Sequence, residues 1–412
     1  MSNFADVLNV KEMKTLYISS SKNISFNNDN LYINGEIQES SSVSEVSILA
    51  KNEMMRTVNM EMSRLLSHFP NIAVLTAAGT SMDNGSNSGK TRDGLWNYCS
   101  EEIEKVILFL KNNNGFNGII EAEYKAKNIE QFLSLLLLYE KVNKKIVDTN
   151  QNCLIEAIEK KIAEACNLVL DPNNKHHGDL ITKLSARKPS QPRLQLYTTN
   201  YDTLFEQAAN KRGFVIIDGF SFSHPRLFSG INFDYDIVYR DKTRIKNEES
   251  FIPNVFQLFK IHGSIDWEKR NDEKIYQSEN IDNPCIIYPA SDKYESSYEQ
   301  PYFEMMSHFQ QTLRKDGTLL IVIGFGFADK HIQNIIKEAV YQNTNFHLLI
   351  VCYGCDDGIE TGITNKLVPD FLNGDLSLTS SNISIVFSKF KDFVELIPLN
   401  YSYSNFIDDE TI

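Results

Sequence analysis

The sequence predicts an α/β fold, a doubly wound and mostly parallel sheet with a helical insertion and a small N-terminal extension. Three observations point there. Short β-type apolar runs recur along the chain, at 194–198, 214–218, 255–261, 285–288, 319–324, 346–352 and 383–387. Several are continuously apolar, as strands covered on both faces must be. Segments of helical period separate some of them, notably 329–340 with its Ile332, Ile335, Ile336, Ala339 stripe, and strand–helix alternation of this kind builds a parallel sheet.

Taken in order, residues 15–38 hold two short strand-like runs with an Asn34-Gly35 hairpin signal, and a helical pattern follows from about Val43 to Ser67. Residues 1–68 are therefore read as an N-terminal extension suited to packing or assembly. The run 71–81, "NIAVLTAAGTS", opens the main domain, 69–395, as an apolar strand ending in small residues. From about 95 to 190 the pattern is helical: Leu154, Ile155, Ile158, Ile162 and Cys166 form one stripe, and "FLSLLLLYE" is another apolar helix. These stripes read as core. The β runs then return in a Rossmann-like layout, and 396–412 reads as a C-terminal tail.

Composition narrows the function. With 412 residues, 42% hydrophobic and 11% aromatic, the chain can bury a large core. Its formal charge of −13 repels phosphate backbones, so direct nucleic-acid binding by this chain alone is not expected. Six scattered cysteines form no disulfide framework, which fits a reducing compartment. Cys352 and Cys355, the one short pair, read as strand-end thiols, because a single CxxC does not complete a zinc site. No apolar leader opens the sequence and no run approaches the ~20 apolar residues of a membrane span. A soluble, cytoplasmic protein is expected.

In open α/β sheets ligands sit beyond the carboxyl ends of the strands. Four such crests carry suitable residues. Ala77, Ala78, Gly79, Thr80 and Ser81 follow the first run; Thr199, Asn200 and Asp202 follow the second. His262, Gly263, Ser264 and Asp266 follow "VFQLFKI", and Gly324, Gly326, Phe327 and Asp329 follow "LLIVI". Small residues admit close backbone approach to a phosphate, and polar ones hold sugar hydroxyls. Singly, each has a plain explanation: Asn200 and Asp202 as helix caps, His262 as a satisfied core histidine, Gly324 and Gly326 as turn glycines. Four crests on one sheet point jointly to a ligand.

Two motifs carry less. "GSNSGKT" (85–91) has three residues between its glycines where a phosphate-binding P-loop needs four, and it starts well past the strand end. It reads as a lid or polar loop. "KHHG" (175–178) lacks the spacing of a metal site and reads as a surface loop.

The crests, in this order, resemble the sirtuin family, and more closely its bacterial sirtuin-like defence branch. "AAGTS" (77–81) resembles the family's phosphate-binding turn, "TTNYD" (198–202) its T-x-N-x-D motif, "KIHGSIDW" (260–267) its His-Gly, and "GFGFADKHI" (324–332) its late glycine-rich turn. The resemblance spans about 70–390. It implies NAD⁺ bound across the crest as a substrate. Asn200 would position the attacking water, Asp202 would support it, and His262 would act as base or ribose partner. Ala77, Ala78, Gly79, Thr80, Ser81, Thr199, Gly263, Gly324, Gly326, Phe327 and Asp329 would line the dinucleotide. Two departures stand out: Ala77 replaces a glycine, and only Cys285 lies between His262 and Gly324, where deacetylating sirtuins carry two CxxC pairs. No zinc is expected.

Cleaving the nicotinamide–ribose bond needs an oriented ribose and an admitted water, since nicotinamide is already an activated leaving group. The resemblance therefore implies an NAD⁺ hydrolase giving ADP-ribose and nicotinamide, an NAD-depleting antiphage effector that forms a homo-oligomer and works with a HerA-like hexameric ATPase. The rivals are an NAD-dependent protein deacylase or ADP-ribosyltransferase, and a non-catalytic NAD- or ADP-ribose-sensing subunit of a DNA-processing complex.

Overall fold

The computed structural model describes residues 14–27, 29–40, 42–143, 145–188, 190–238, 251–278, 284–286, 300–353 and 382–400. Its centre is a sheet of eleven strands. Seven are parallel: β5 (Asn71–Thr76), β6 (Gln195–Thr198), β7 (Val215–Ile217), β8 (Val255–Lys260), β13 (Thr318–Ile323), β14 (Phe346–Cys352) and β15 (Ile383–Phe387). They lie in the order β15-β14-β13-β5-β6-β8-β7. The chain leaves β5 toward β6 on one side and later returns to β13 on the other, so the winding reverses at β5. The registers pair Ile323, Thr76, Thr198 and Lys260 across neighbouring strands. Four crests thus emerge at one level around the reversal, where doubly wound sheets bind ligands.

The N-terminal segment differs from its reading as two strand-like runs. Four strands form, β1 (Lys14–Ser19), β2 (Asn23–Phe26), β3 (Asn30–Ile33) and β4 (Glu36–Ser40), and β1 pairs antiparallel with β15. They therefore continue the main sheet. Asn34 and Gly35 both take positive φ, 54° and 84°, which is the geometry of the predicted tight hairpin. The following helix, α1 (Val43–His68), buries Val46, Met54, Val58, Met62 and Leu65 against one sheet face. Glu61 on α1 takes hydrogen bonds from Tyr17 of β1 and, at 2.7 Å, from Ser384 of β15, and His347 of β14 lies 3.0 Å from Ser384.

Strand alternation sends Leu196 and Leu258 to the α1 face and Tyr197 and Phe259 to the other, where the last two stack 4.5 Å apart. The insertion between β5 and β6 is helical, as the periodicity requires. It runs through α2 (Ala78–Ser81), α3 (Arg92–Tyr98), α4 (Ser100–Asn112), α5 (Gly118–Ala126), α6 (Ile129–Val142), α7 (Leu154–Cys166) and α8 (His176–Ser185). Trp96, Val106, Phe132, Leu136, Ile158 and Ile162 give it a core of its own, joined by Tyr201 and Ile265 from the crests. α9 (Leu204–Lys211), α10 (Tyr302–Arg314), α11 (Lys330–Gln342) and α12 (Phe390–Leu396) complete the layers.

Two expectations need correction. "KHHG" is not a surface loop: His176 begins α8, and His177 is fully buried between Phe205 and Phe390. Burial drives the His177 imidazole down to about 3, so it stays neutral. The run at 285–288 does not join the main sheet. Cys285–Ile286 forms β12, which pairs with β9 (Gly263–Ser264) in a two-stranded ribbon, and 287–288 lie outside the described residues. A second ribbon joins β10 (Trp267–Lys269) to β11 (Ile275–Gln277). Cys352 is buried at the end of β14, Cys355 lies outside the described residues, and the tail is described only to residue 400, with Leu396 and Ile397 buried. No helix among the described residues is long and apolar enough to cross a membrane.

Candidate active site

A cavity of about 190 Å³ opens at the sheet reversal. Its walls come from three crests (Ala77, Ala78 and Ser81 after β5; Thr199, Asn200, Tyr201 and Asp202 after β6; Gly324 and Gly326 after β13) and from the insertion, which adds Gly89, Lys90, Ile129, Glu130, Ile162 and Cys166.

The polar wall is a network whose polarity is fixed. Asn200 Nδ2 donates to the Ala77 carbonyl at 3.1 Å, to Thr80 Oγ1 at 3.1 Å and to Ser81 Oγ at 2.7 Å. A carbonyl only accepts. Thr80 spends its proton on the Ala77 carbonyl, and Ser81 spends its own on Asp202 Oδ2 at 2.5 Å. All three neighbours of the carboxamide are therefore acceptors, so the amide nitrogen must face them. Oδ1 is left with no donor among the described residues, on a side chain that lines the cavity. Asp202 is held in turn by the Leu204 amide, which donates to Oδ1 at 3.1 Å.

Beneath this wall, Lys260 at the end of β8 is buried and donates to Glu206 Oε1 at 2.8 Å and to the Asp202 carbonyl. Burial opposes its charge, but Glu206, Asp266 and Asp202 raise its pKa above the usual lysine value. Burial pushes the Glu206 carboxyl up to about 7 against the pull of Lys260. The lysine keeps its proton, and it ties the β6 crest to β8.

Glycines set the distance between crests. Gly79 donates its amide to the Gly324 carbonyl at 3.2 Å, and a Cβ on Gly79 would stand 2.5 Å from the Gly324 Cα. Gly324 also has φ +66°, a region that favours glycine. Gly79 is thus required by its neighbour's backbone. Ala77 is extended, with φ −145°, and its methyl needs no special conformation.

Several expected site residues stand behind the cavity rather than in its wall. Thr80 is fully buried in the Asn200 network; Phe327 is buried in the core; Gly263, with φ +83°, begins the β9–β12 ribbon. Asp329 caps α11, its Oδ1 accepting from the His331 and Ile332 amides, and its Oδ2 lies 3.2 Å from His262 Nε2. His262 is buried, with Nδ1 facing Glu130 Oε1 at 3.8 Å. Burial disfavours the imidazolium, yet the Asp329 hydrogen bond and the Glu130 and Asp329 charges raise its pKa above the ordinary value. Asp329 is lowered: burial opposes its charge, but the His262 contact and the helix amides outweigh it.

Sequence reasoning missed Glu130, Lys90 and Cys166, which sat in segments read as core or polar loop. The 85–91 loop is anchored: buried Asn84 donates to the Asn87 and Val169 carbonyls, and Ser86 hydrogen-bonds Asp171. This brings Lys90 to the cavity rim, 5.1 Å over the Tyr98 ring. Burial, reinforced by Asp202, holds the Cys166 thiol up at about 12. Among the described residues no group of three or more His, Cys, Asp or Glu is placed to hold a metal ion.

Residues 195–363 match the SIR2-like domain. That span holds the β6, β8 and β13 crests, with Asn200, Asp202, His262, Gly324 and Asp329. Among solved structures, a Sir2 enzyme studied for its mechanism and regulation aligns at 11% identity and TM-score 0.37, covering 82% of this chain and 96% of that one. A Sir2 mutant with a p53 peptide and NAD aligns at 11% identity and TM-score 0.36, covering 82% and 96%. A mutant Sir2 homologue in complex with ADP-ribose aligns at 15% identity and TM-score 0.35, covering 81% and 94%. No curated protein matches the chain.

Proposed function

We propose that this SIR2-like chain is an NAD⁺ glycohydrolase, cleaving the nicotinamide–ribose bond to give ADP-ribose and nicotinamide. One observation carries the reading: the network around Asn200 commits its amide nitrogen to protein acceptors and leaves Oδ1 as a free acceptor at the cavity. An acceptor locked in this way orients a water by taking one of its protons, leaving an oxygen lone pair for attack. The match to the SIR2-like domain supports NAD⁺ as the substrate.

In the proposed reaction the C1′–N bond breaks and nicotinamide leaves with the bonding electrons. Water adds to the oxocarbenium carbon and releases one proton. Asn200 aligns the water, Ser81 and Asp202 fix Asn200, and the His262–Asp329 pair accepts the proton. Ala77, Ala78, Gly324 and Gly326 offer small walls for the pyrophosphate, and Lys90 a cation at the rim. Such positioning and preorganised polarity supply the rate. Cys166, held protonated, is not a nucleophile in this scheme.

We extend the proposal to biology on the resemblance alone: an NAD-depleting antiphage effector, homo-oligomeric and working with a HerA-like hexameric ATPase. The test is chromatography of NAD⁺ incubated with the protein, alone and with such an ATPase, with and without an acetylated peptide. Free ADP-ribose and nicotinamide without peptide are expected. Product formed only with peptide, as O-acetyl-ADP-ribose, would make the chain a deacylase instead.

A further inference from the structure

A water that attacks inside the cavity releases its proton there, so a basic atom must face it. The titratable side chains of the wall are Lys90, Glu130, Cys166, Tyr201 and Asp202. All but one are spoken for. Lys90 is a cation with no lone pair to offer. Cys166 keeps its proton, because burial holds the thiol up at about 12. Tyr201 gives its hydroxyl proton to Glu130 Oε1 at 3.1 Å. Asp202 accepts from Ser81 on Oδ2 and from the Leu204 amide on Oδ1, and a proton on it would displace the Ser81 bond that fixes Asn200. His262 stands buried behind the wall and does not line the cavity.

Glu130 remains. It lies in the first turn of α6, where Asn128 caps the helix by accepting from the Gln131 amide at 3.4 Å. The Tyr201 hydrogen bond occupies Oε1 and draws the carboxylate to the wall, and Oε2 meets no donor among the described residues. Behind Glu130 lies His262. Its Nε2–H is donated to Asp329, so Nδ1 carries the lone pair. Nδ1 is buried, has no hydrogen-bond partner among the described residues and lies 3.8 Å from Glu130 Oε1. Glu130 therefore faces the cavity on one side and the buried His262–Asp329 pair on the other.

We propose that Glu130 is the catalytic base, taking the proton of the attacking water at Oε2 and handing it to His262 Nδ1. The inference rests on the NAD⁺ reading and deepens it, naming the group between the reacting water and the buried pair. Asn200 Oδ1 accepts from one O–H of the water and Glu130 Oε2 from the other. As the water oxygen bonds to C1′, the second O–H bond breaks and its proton passes to the carboxylate. The carboxyl group then turns and gives the proton to Nδ1, and Asp329 holds the resulting imidazolium. Glu130 is 35% exposed, so the proton returns through it to solvent once the products leave. The base thus comes from the helical insertion and is aimed by Tyr201 of the β6 crest.

The test uses Glu130→Gln and Glu130→Ala in the full chain, under the condition that gives wild-type NAD⁺ turnover. Glu130→Gln keeps the shape of the side chain, and its kcat should fall about 10²-fold with KM within about threefold of wild type. Sodium azide supplies the readout that a merely structural role would not move. Azide needs no deprotonation: its nitrogen bonds to C1′ as nicotinamide leaves, giving ADP-ribosyl azide. Both variants should form this product at least about tenfold faster than they form ADP-ribose, while the wild-type carboxylate repels the anion and yields ADP-ribose alone. Wild-type kcat in Glu130→Gln, or slow variants that azide does not rescue, overturns the proposal and leaves the NAD⁺ reading intact. If wild type consumes no NAD⁺ under any condition, the NAD⁺ reading fails and the proposal falls with it.

Discussion

Replacing Gly79 by alanine tests the idea that the crests are set by backbone contact. The new Cβ would stand 2.5 Å from the Gly324 Cα, where ordinary contact begins near 3.4 Å, a shortfall of about 0.9 Å. Both partners are backbone, so no side chain can swing away and the two turns must part. The Gly79–Gly324 hydrogen bond at 3.2 Å would be lost. Overpacking of about 1–3 kcal/mol and about 1 kcal/mol for the bond give an expected destabilisation of roughly 2–4 kcal/mol. The same displacement carries the Ala77 carbonyl and Thr80 hydroxyl away from Asn200, both now at 3.1 Å. A misplacement near 1 Å can lower catalysis about 10²-fold. Urea denaturation measures the first effect and NAD⁺ turnover the second. Gly35→Ala is the control: φ is +84° but nothing lies within 4 Å, so it should cost about 1 kcal/mol and leave turnover alone. Wild-type stability and turnover in Gly79→Ala would refute the reasoning.

Three further outcomes are expected. Lys260→Met strands Glu206 and the Asp202 carbonyl without their cation, so it should destabilise by about 3–5 kcal/mol in urea titrations; a change below about 1 kcal/mol would show that the tie is unimportant. His347 is pushed down to about 4 and His177 to about 3 by burial, both from 6.5. The unfolded chain therefore binds protons that the native state refuses. Each histidine should remove about 1.4 kcal/mol of stability per pH unit as pH falls from 6.5 toward those values, and His347→Asn should flatten the wild-type slope. An unchanged slope would contradict the burial argument. The Cys166 thiol, raised from 9.0 to about 12, should carry roughly 10³-fold less thiolate than a free thiol at pH 8, so mass spectrometry should find it slow to react with iodoacetamide. Rapid labelling would overturn that assignment.

Much of the site lies in plain view in the sequence because strand ends announce themselves. Apolar runs stop at Thr76, Thr198, Lys260 and Ile323; residues just beyond the first, second and last of these line the cavity, while His262, beyond Lys260, stands behind it against Asp329. The Asn34-Gly35 turn was equally legible, because its positive φ values restrict the residues that can occupy it. Glu130 was hidden for a physical reason. An acidic residue in a first helical turn is already explained by the helix dipole, and no local pattern says which helix N-terminus abuts a crest 70 residues away. His177 was misread because adjacent histidines look solvated until Phe205 and Phe390 are seen to enclose one of them. The second role of Gly79, spacing the turns, depends on Gly324 and has no local signature.

The most direct test of the central claim is NAD⁺ consumption by wild type and Asn200→Ala, each with and without a HerA-like ATPase, with products resolved by chromatography. The account predicts equimolar ADP-ribose and nicotinamide from wild type, at least about 10²-fold less from Asn200→Ala, and binding of NAD⁺ by both. Equal turnover by the two proteins would remove Asn200 from the reaction, and binding without turnover under every condition would make the cavity a sensor.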